Sequence, residues 1–306
     1  MVTSAGLALG TVQWGQLYGI ANRSGVPSAA EIARILDVAA AANVRTLDTA
    51  RSYGRSEEAI GAAIGDDPAW TVVTKVAAEP PAGETGPGAL TEWVRDSLRE
   101  SRRALCRPKL DVVLLHRAEH KALAGGAVWK ELLRQRDAGA IGRLGVSVVT
   151  PAEAEPLLDD ADVVALQLPC SLLDQRIVRS GLLDGALRAG KTVFIRSVFL
   201  QGVAHLPPEQ LPLRLGKAGR ELAGSLAAVH RWCESRGLRA FEAFLGFARL
   251  LGPVQILIGC ETVAQLSENL RAWEGTAARR DDIAALAATM PDLPESAINP
   301  ALWPRG

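Results

Sequence analysis

Eight short runs of apolar and β-branched residues recur along the chain, each followed by a segment with helical spacing, and this alternation restricts the fold more than any other feature. The runs are GLALGTV (6–12), VRTL (44–47), WTVVT (70–74), LDVVLL (110–115), IGRLGVS (141–147), DVVALQL (162–168), TVFIRSV (192–198) and VQILIG (254–259). They lack the polar alternation of a half-solvated strand, so they read as a parallel sheet covered by helices on both faces. The first intervening segment puts Ile32, Ile35, Leu36 and Ala39 on one helical stripe. Ser28 with Glu31, Thr150-Pro151 with Glu153, and Thr262 with Gln265 read as capping boxes that open helices. No linker rich in Pro, Gly and Ser divides the 306 residues. The expectation is one α/β domain over residues 1–306, a closed (β/α)8 TIM barrel, a fold of roughly 250 residues plus insertions. The stretch AHLPPEQLPLRLGKAG (204–219) reads as a loop over one barrel face.

Charge narrows the partners. Lysine plus arginine and aspartate plus glutamate each total 34, for zero formal net charge. Nucleic acid or an anionic membrane normally demands a basic excess, so a small ligand fits better than either. Cys106, Cys170, Cys233 and Cys260 are far apart with no CxxC spacing, which points to reduced thiols in a cytoplasmic protein and to no metal site. The first residues lack the basic start of a signal peptide. The apolar stretch 241–258 is broken by Arg249 and Gly252-Pro253 well short of a membrane span.

In a parallel barrel every strand ends on one face, and polar residues at those ends meet at the mouth. Asp48 follows VRTL, Lys75 follows WTVVT, His116 follows LDVVLL, and Tyr53, one of two tyrosines, lies just beyond Asp48. Singly, each has a plain explanation: a turn cap, a rim ion pair, a strand-end histidine, a packed ring. Together they are complementary. An ammonium beside a phenol lowers its pKa from about 10, a carboxylate makes the buried ammonium tolerable, and an imidazole can hydrogen-bond a substrate oxygen. Such a set suits an oxygen that becomes negative as hydride adds to a carbonyl.

The segments LDTARSYGRSEEAIG, TVVTKV and VVLLHRAE, in this order on these strands, resemble the aldo-keto reductase family, and the likeness runs from GLALGTVQWG to LIGCETVAQLSENL. The resemblance implies NAD(P)H-dependent reduction of an aldehyde or ketone, a sugar or sugar-derived carbonyl among the candidates, by a monomer or weak dimer. It makes Tyr53 the proton donor, Lys75 its tuner, Asp48 the partner of Lys75, and His116 the group orienting the carbonyl. Two other readings share the barrel: a non-turnover redox sensor or partner subunit, and an epimerase or isomerase using transient oxidation.

For the cofactor, the resemblance implies Gly10 and Thr11 on the first strand, Ser147 and Gln167 on the carboxamide, and Ser197, Phe199 and Gln201 in IRSVFLQG. Val148 stands where Asn often follows that Ser. Arg196 occupies the place from which many members stack an aromatic ring on the nicotinamide; a guanidinium plane can stack there and would favour the reduced, uncharged ring, unless Arg196 is a salt-bridged strand-end residue. At the adenosine end the matching positions are Gly259, Glu261, Gln265, Glu268 and Asn269. The family usually presents Lys or Arg here, which gives NADP(H) as its base expectation. An acid such as Glu261 suits a free ribose 2′-hydroxyl, which makes NAD(H) almost an equal expectation. Glu261 and Gln265 also fit a simple helix start.

Arg214, Lys217 and Arg220 are either a pyrophosphate clamp or solvated charges. Trp14 and Tyr18 are candidates for the substrate pocket, or for rim packing. GALRAGKT (185–192) satisfies the phosphate-binding pattern GxxxxGK[ST] letter by letter, but a helical segment precedes its lysine and a strand follows, the reverse of what phosphate binding requires. His116 and His120 are four apart but do not share a helix face, so no zinc pair is expected.

Overall fold

The computed structural model describes residues 4–83 and 86–303. Eight parallel strands close a barrel in sequence order. They are β1 (Gly6–Gly10), β2 (Thr46–Asp48), β3 (Thr71–Lys75), β4 (Leu110–Leu115), β5 (Ile141–Ser147), β6 (Ala165–Pro169), β7 (Thr192–Arg196) and β8 (Gln255–Gly259). The β1 to β8 ladder, Gly6 with Gln255 through Gly10 with Gly259, completes the closure.

Two cores follow from strand parity. Ala8, Val73, Val112, Leu114, Ala165, Phe194 and Leu257 fill the barrel interior. The alternate residues, among them Leu9, Leu47, Val72, Val113, Leu166 and Ile256, pack outward against the helices. Leu114 fills so much of the interior that a Cβ on Gly145 would come within 2.7 Å of it and 2.2 Å of the Ala165 carbonyl. Side chains two residues on point into the same interior one layer higher. By that rule Gly10, Lys75, His116, Gln167, Arg196 and Gly259 form the floor of the mouth.

Helix starts match their sequence signals with two changes, one being that the Glu153 carboxylate accepts from the Val149 amide at 2.9 Å while Thr150 caps the Glu153 amide. Thr262 and Gln265 make a full reciprocal box. Ser28 caps the amide of Glu31, but the Glu31 carboxylate reaches instead to the Val263 amide, 2.7 Å away, tying the helix Ala29–Ala41 to the helix Val263–Gly275. The segment 204–219 is not the expected loop. It ends a 3-10 turn (Leu200–His205), forms a second (Pro208–Gln210) and opens the helix Leu211–Glu234, broken once at Gly216. Pro208 opens its turn and Pro212 is the second residue of its helix, both in a first turn where a missing N–H costs little, and Leu211, Leu215, Ala218 and Leu222 supply a buried stripe. In 185–192 the helix Leu182–Arg188 leads into β7, and the Lys191 ammonium donates to the carbonyls of Asp160 (2.6 Å) and Val163 (2.8 Å), so that lysine staples loops together. No helix of the described residues is long and apolar enough to cross a membrane, and none of their His, Cys, Asp and Glu side chains group as a metal site.

Candidate active site

A cavity of about 840 Å³ opens at the carboxyl ends of the strands. Asp48, Tyr53, Lys75 and His116 all line its floor, so residues distant in sequence do meet. The Lys75 ammonium donates to both carboxylate oxygens of Asp48 (2.8 and 2.9 Å) and to the Thr49 carbonyl (2.9 Å). Lys75 is 1% and Asp48 4% exposed, so each needs the other. Gln167 adds a third tie, its amide N–H donating to Asp48 Oδ1 at 2.7 Å while its Oε1 accepts from Ser147 at 3.3 Å. Burial opposes the Lys75 charge, but the Asp48 carboxylate and then Tyr53 more than offset it, and the lysine pKa is raised. The ammonium lies 4.9 Å from the centre of the Tyr53 ring.

His116 meets Tyr53 edge-on with ring centres 6.1 Å apart. Burial, then the charges of Lys75 and Arg196, hold its pKa down to about 3, so it is a neutral imidazole at ordinary pH. Its Nδ1 is buried and has no hydrogen-bond partner among the described residues, while the ring itself lines the cavity.

Tyr53 is not on a strand, and two glycines fix its loop. A Cβ on Gly15 would lie 1.8 Å from the Tyr53 carbonyl and one on Gly54, at φ +56°, 2.3 Å from the Gly15 carbonyl. Beneath them the hydroxyls of Thr11, Thr49 and Ser56 form a knot, with Ser56 2.7 Å from Thr11 and Thr11 donating to the Asp48 carbonyl at 2.8 Å. Glu57, at the start of the helix Ser56–Ile64, accepts from Thr74 at 2.5 Å and from Arg51 at 2.6 Å, anchoring the loop to β3.

Tyr18 also lines the cavity, and loss of hydration, then the nearby Tyr53, pushes its phenol up to about 12 against the opposing effects of Arg196 and a hydrogen bond with Gln201. Its loop is folded by Asn22, whose Oδ1 accepts from the amides of Ser24 and Gly25 and whose Nδ2 donates to the Tyr18 carbonyl. Trp14, by contrast, is not a pocket wall. It is buried in the outer core and its indole N–H donates to the Cys260 carbonyl at 3.1 Å.

Every cofactor position expected from the sequence borders this cavity: Gly10, Thr11, Ser147, Gln167, Arg196, Ser197, Phe199, Gln201, Gly259, Glu261, Gln265, Glu268 and Asn269. Arg196 is half-buried and is not the salt-bridged residue that was its plain alternative. Among the described residues its guanidinium donates to the Val148 carbonyl (2.9 Å) and the Ser197 hydroxyl (3.2 Å) and reaches no carboxylate. The Val148 side chain itself points into the outer core. After β7 the backbone is strained: Ser197 (φ +63°), Leu200 (+46°), Gln201 (+53°) and Gly202 (+100°) are all left-handed. The amides of Ser197, Val198 and Phe199 have no backbone acceptor among the described residues. Successive amides left open in such a turn make a concavity for an anion.

The solvated-charge alternative, not the clamp, fits the described members of the set Arg214, Lys217 and Arg220. Lys217 is exposed and lies 3.8 Å from Glu221, the side chain of Arg214 lies outside the described residues, and Arg220 does not line the cavity. At the far end Glu268 pairs with Arg239, and the Gln265 carboxamide accepts from the Glu261 amide at 2.6 Å. Burial raises the Glu261 pKa. Gln13 was not singled out from sequence, yet it lines the cavity beside Gly259, and its Oε1 is buried without a partner. Its position three residues after Gly10 was the only available signal. Glu153, Glu295 and Asn299 are further wall residues with no sequence signal, the last two brought in from the end of the chain.

Comparison with known proteins agrees with this architecture. A search of the curated proteins returns no match. Among solved structures, the glycerol dehydrogenase of Gluconobacter oxydans is 20% identical, with a TM-score of 0.66 over 93% of each chain. An aldo-keto reductase of Bacillus halodurans in its holo form is 20% identical, with a TM-score of 0.69 over 94% of this chain and 93% of that one. The profile of the Aldo/keto reductase family matches residues 6–289. The chain therefore belongs to the aldo/keto reductase family, whose members are NAD(P)H-dependent oxidoreductases acting on carbonyl and alcohol groups.

Proposed function

We propose that this protein reduces the carbonyl of a small, polar aldehyde or ketone of the sugar type, with NAD(H) preferred over NADP(H) and Tyr53 as proton donor. The observation that carries the reading is the buried Lys75–Asp48 pair beneath Tyr53, beside an imidazole that stays neutral and lines the cavity. When bound, the reduced nicotinamide supplies the hydride. As the carbonyl carbon accepts it, the C=O π pair moves to oxygen, and that oxygen takes the Tyr53 proton. Lys75 stabilises the phenolate so formed, Asp48 keeps Lys75 charged and aimed, and Tyr53 is reprotonated from solvent. His116 orients the oxygen without competing for the proton, because its low pKa keeps it from titrating near neutrality.

The residues present fit the dinucleotide. The open amides after β7 suit its pyrophosphate, a role better supported for Ser197 to Phe199 than for the exposed Lys217. Gln167 is held by Asp48 and Ser147 at the floor, where a carboxamide would meet a fixed amide. At the other end Glu261 and Glu268 face the cavity, and Arg239, which is paired with Glu268, is not part of its lining. Carboxylates accept from a ribose 2′-hydroxyl and repel a 2′-phosphate, which supports NAD(H). Asn22, Arg117, Glu119, Thr150 and Glu153 line the substrate side, a wall that favours a hydroxylated carbonyl over an aromatic or steroidal one. The intact tetrad supports turnover over a purely sensing role.

The test is calorimetric titration with NADH and NADPH followed by turnover of a panel of sugars, aldehydes and ketones, with wild-type protein and Tyr53→Phe. The expected result is retained cofactor binding with turnover reduced by about 10²-fold or more. Unchanged turnover in Tyr53→Phe would remove it from its role.

A further inference from the structure

We propose that Arg196 makes this site select the reduced over the oxidised nicotinamide, so that the oxidised cofactor is held more weakly than the reduced one. The inference rests on the function proposed above and adds to it a residue that sets which redox form occupies the site.

Three cations border the cavity among the described residues. Lys75 is neutralised by Asp48, and Arg117 is paired with Glu79 and Glu119. Arg196 alone lacks an acid: two of its five N–H groups donate to the neutral oxygens of Val148 and Ser197, and no carboxylate is in reach. Its charge is felt where the chemistry occurs, since it helps to lower the pKa of His116 and to pull that of Tyr18 downward. Hydride transfer needs the donor and acceptor atoms about 3 to 3.5 Å apart. With the substrate oxygen between Tyr53 and His116, the nicotinamide ring has to lie within the same field.

The oxidised ring carries a positive charge and the reduced ring none, while the rest of the dinucleotide is unchanged. A fixed, half-buried and uncompensated guanidinium therefore acts against one form only, and partial burial limits screening by salt. Its planar face can still pack against the uncharged ring. Neither the Asp48–Lys75 pair, which is neutral as a unit, nor the neutral His116 cancels this bias.

The experiment is calorimetric titration of the full chain with NADH and NAD⁺, and with NADPH and NADP⁺, for the wild type, Arg196→Gln and Arg196→Lys. The wild type is expected to bind the reduced form about tenfold more tightly or better. Arg196→Gln should bring the ratio close to one, chiefly by tightening the oxidised form, and Arg196→Lys should retain it. Equal affinities in the wild type, which need no variant to measure, overturn the inference while leaving the function reading intact. Failure of both redox forms to bind overturns both. A ratio unchanged in Arg196→Gln, with a raised KM for carboxylate-bearing carbonyls, would assign Arg196 to the substrate and likewise overturn it.

Discussion

The two ends of the cavity are built by different means. At the catalytic end, Asp48, Lys75 and Gln167 sit on strands, face inward by parity and hold one another through side-chain bonds of 2.7 to 2.9 Å. At the far end the surfaces come from turns: a left-handed backbone after β7, a carboxamide folded back on its own helix start, and an acid on the loop after β8. A strand fixes a side chain once its register is fixed, so a reaction centre that tolerates little displacement belongs there. A turn offers amides and adaptable side chains, which is sufficient for binding.

The largest effect that would sharpen this contrast is removal of the buried charge. Lys75→Met leaves the Asp48 carboxylate with Gln167 but no cation, and losing one partner of a buried pair typically costs about 3–5 kcal/mol. Turnover should also fall by at least about 10²-fold. Urea denaturation checks the first and steady-state rates the second. The double change Lys75→Met with Asp48→Asn should recover part of the stability and none of the activity. A single variant as stable as the wild type would show that the pair is not what holds the catalytic end.

Next in size is displacement of Tyr53 without touching it. Gly15→Ala puts a methyl into the Tyr53 carbonyl and the Ser56 amide, both backbone, so the loop has to move. A shift of about 1 Å at a reacting group can cost about 10²-fold. We expect kcat to fall by roughly that much with NADH affinity changed less than about threefold. Gly224→Ala is the control: nothing lies within 4 Å of the added carbon, the position is helical, and stability should rise by about 0.4–1 kcal/mol. Equal kcat in Gly15→Ala and wild type would deny the glycine contact its positioning role.

These differences explain what could be read in advance. The eight strands were legible because buried parallel strands carry continuous apolar runs, and the polar residue ending each run is what parity brings to the mouth. Asp48, Lys75 and His116 needed nothing more. Tyr53 was legible as a neighbour of Asp48, whereas the Gly15–Gly54 contact that sets its height was not, because a close approach between two loops leaves no periodic trace. Trp14 misled for a related reason: an indole directly after a pocket-wall residue, Gln13, packs outward when its N–H finds a buried carbonyl. The segment 204–219 read as a loop because prolines that open helices resemble prolines that end them. Glu295 and Asn299 arrive from the chain end by tertiary packing alone.

A pH series compares the ends in one measurement. His116 at the floor is held to a pKa of about 3, and His205, stacked on Phe241 at the far end with ring centres 5.1 Å apart, is also lowered by burial. The unfolded chain protonates both near 6.5. As pH falls below that value the unfolded state therefore binds protons that the folded state refuses, and stability declines through the window down to about 3. Glu131, held to about 2 by its arginines despite the opposing effect of burial, adds to the loss only below its unfolded value of about 4.5. Glu261, with a raised pKa, works the other way. We expect the Tm to fall steadily between pH 6.5 and 5, where the histidines act without Glu131, while kcat/KM shows no step near 6.5. A Tm that rises over this interval would contradict the assigned burial of both rings.

The smallest effect is expected where the far end meets the ribose. Glu261→Gln keeps the size and hydrogen-bonding capacity of the side chain and removes one negative charge from a wall that also holds Glu268. A 2′-phosphate would then face one repulsive charge fewer, whereas a 2′-hydroxyl would lose only the stronger of two possible acceptors. NADPH affinity should rise about three- to tenfold and NADH affinity should weaken by less than about threefold, read from paired titrations. Because Glu261 is tied to the turn through its own amide and Gln265, the catalytic end should not register the change: kcat with saturating NADH is expected to stay within about twofold. A large fall in kcat would mean that the two ends are mechanically coupled and that the division between a rigid floor and an adaptable rim is wrong.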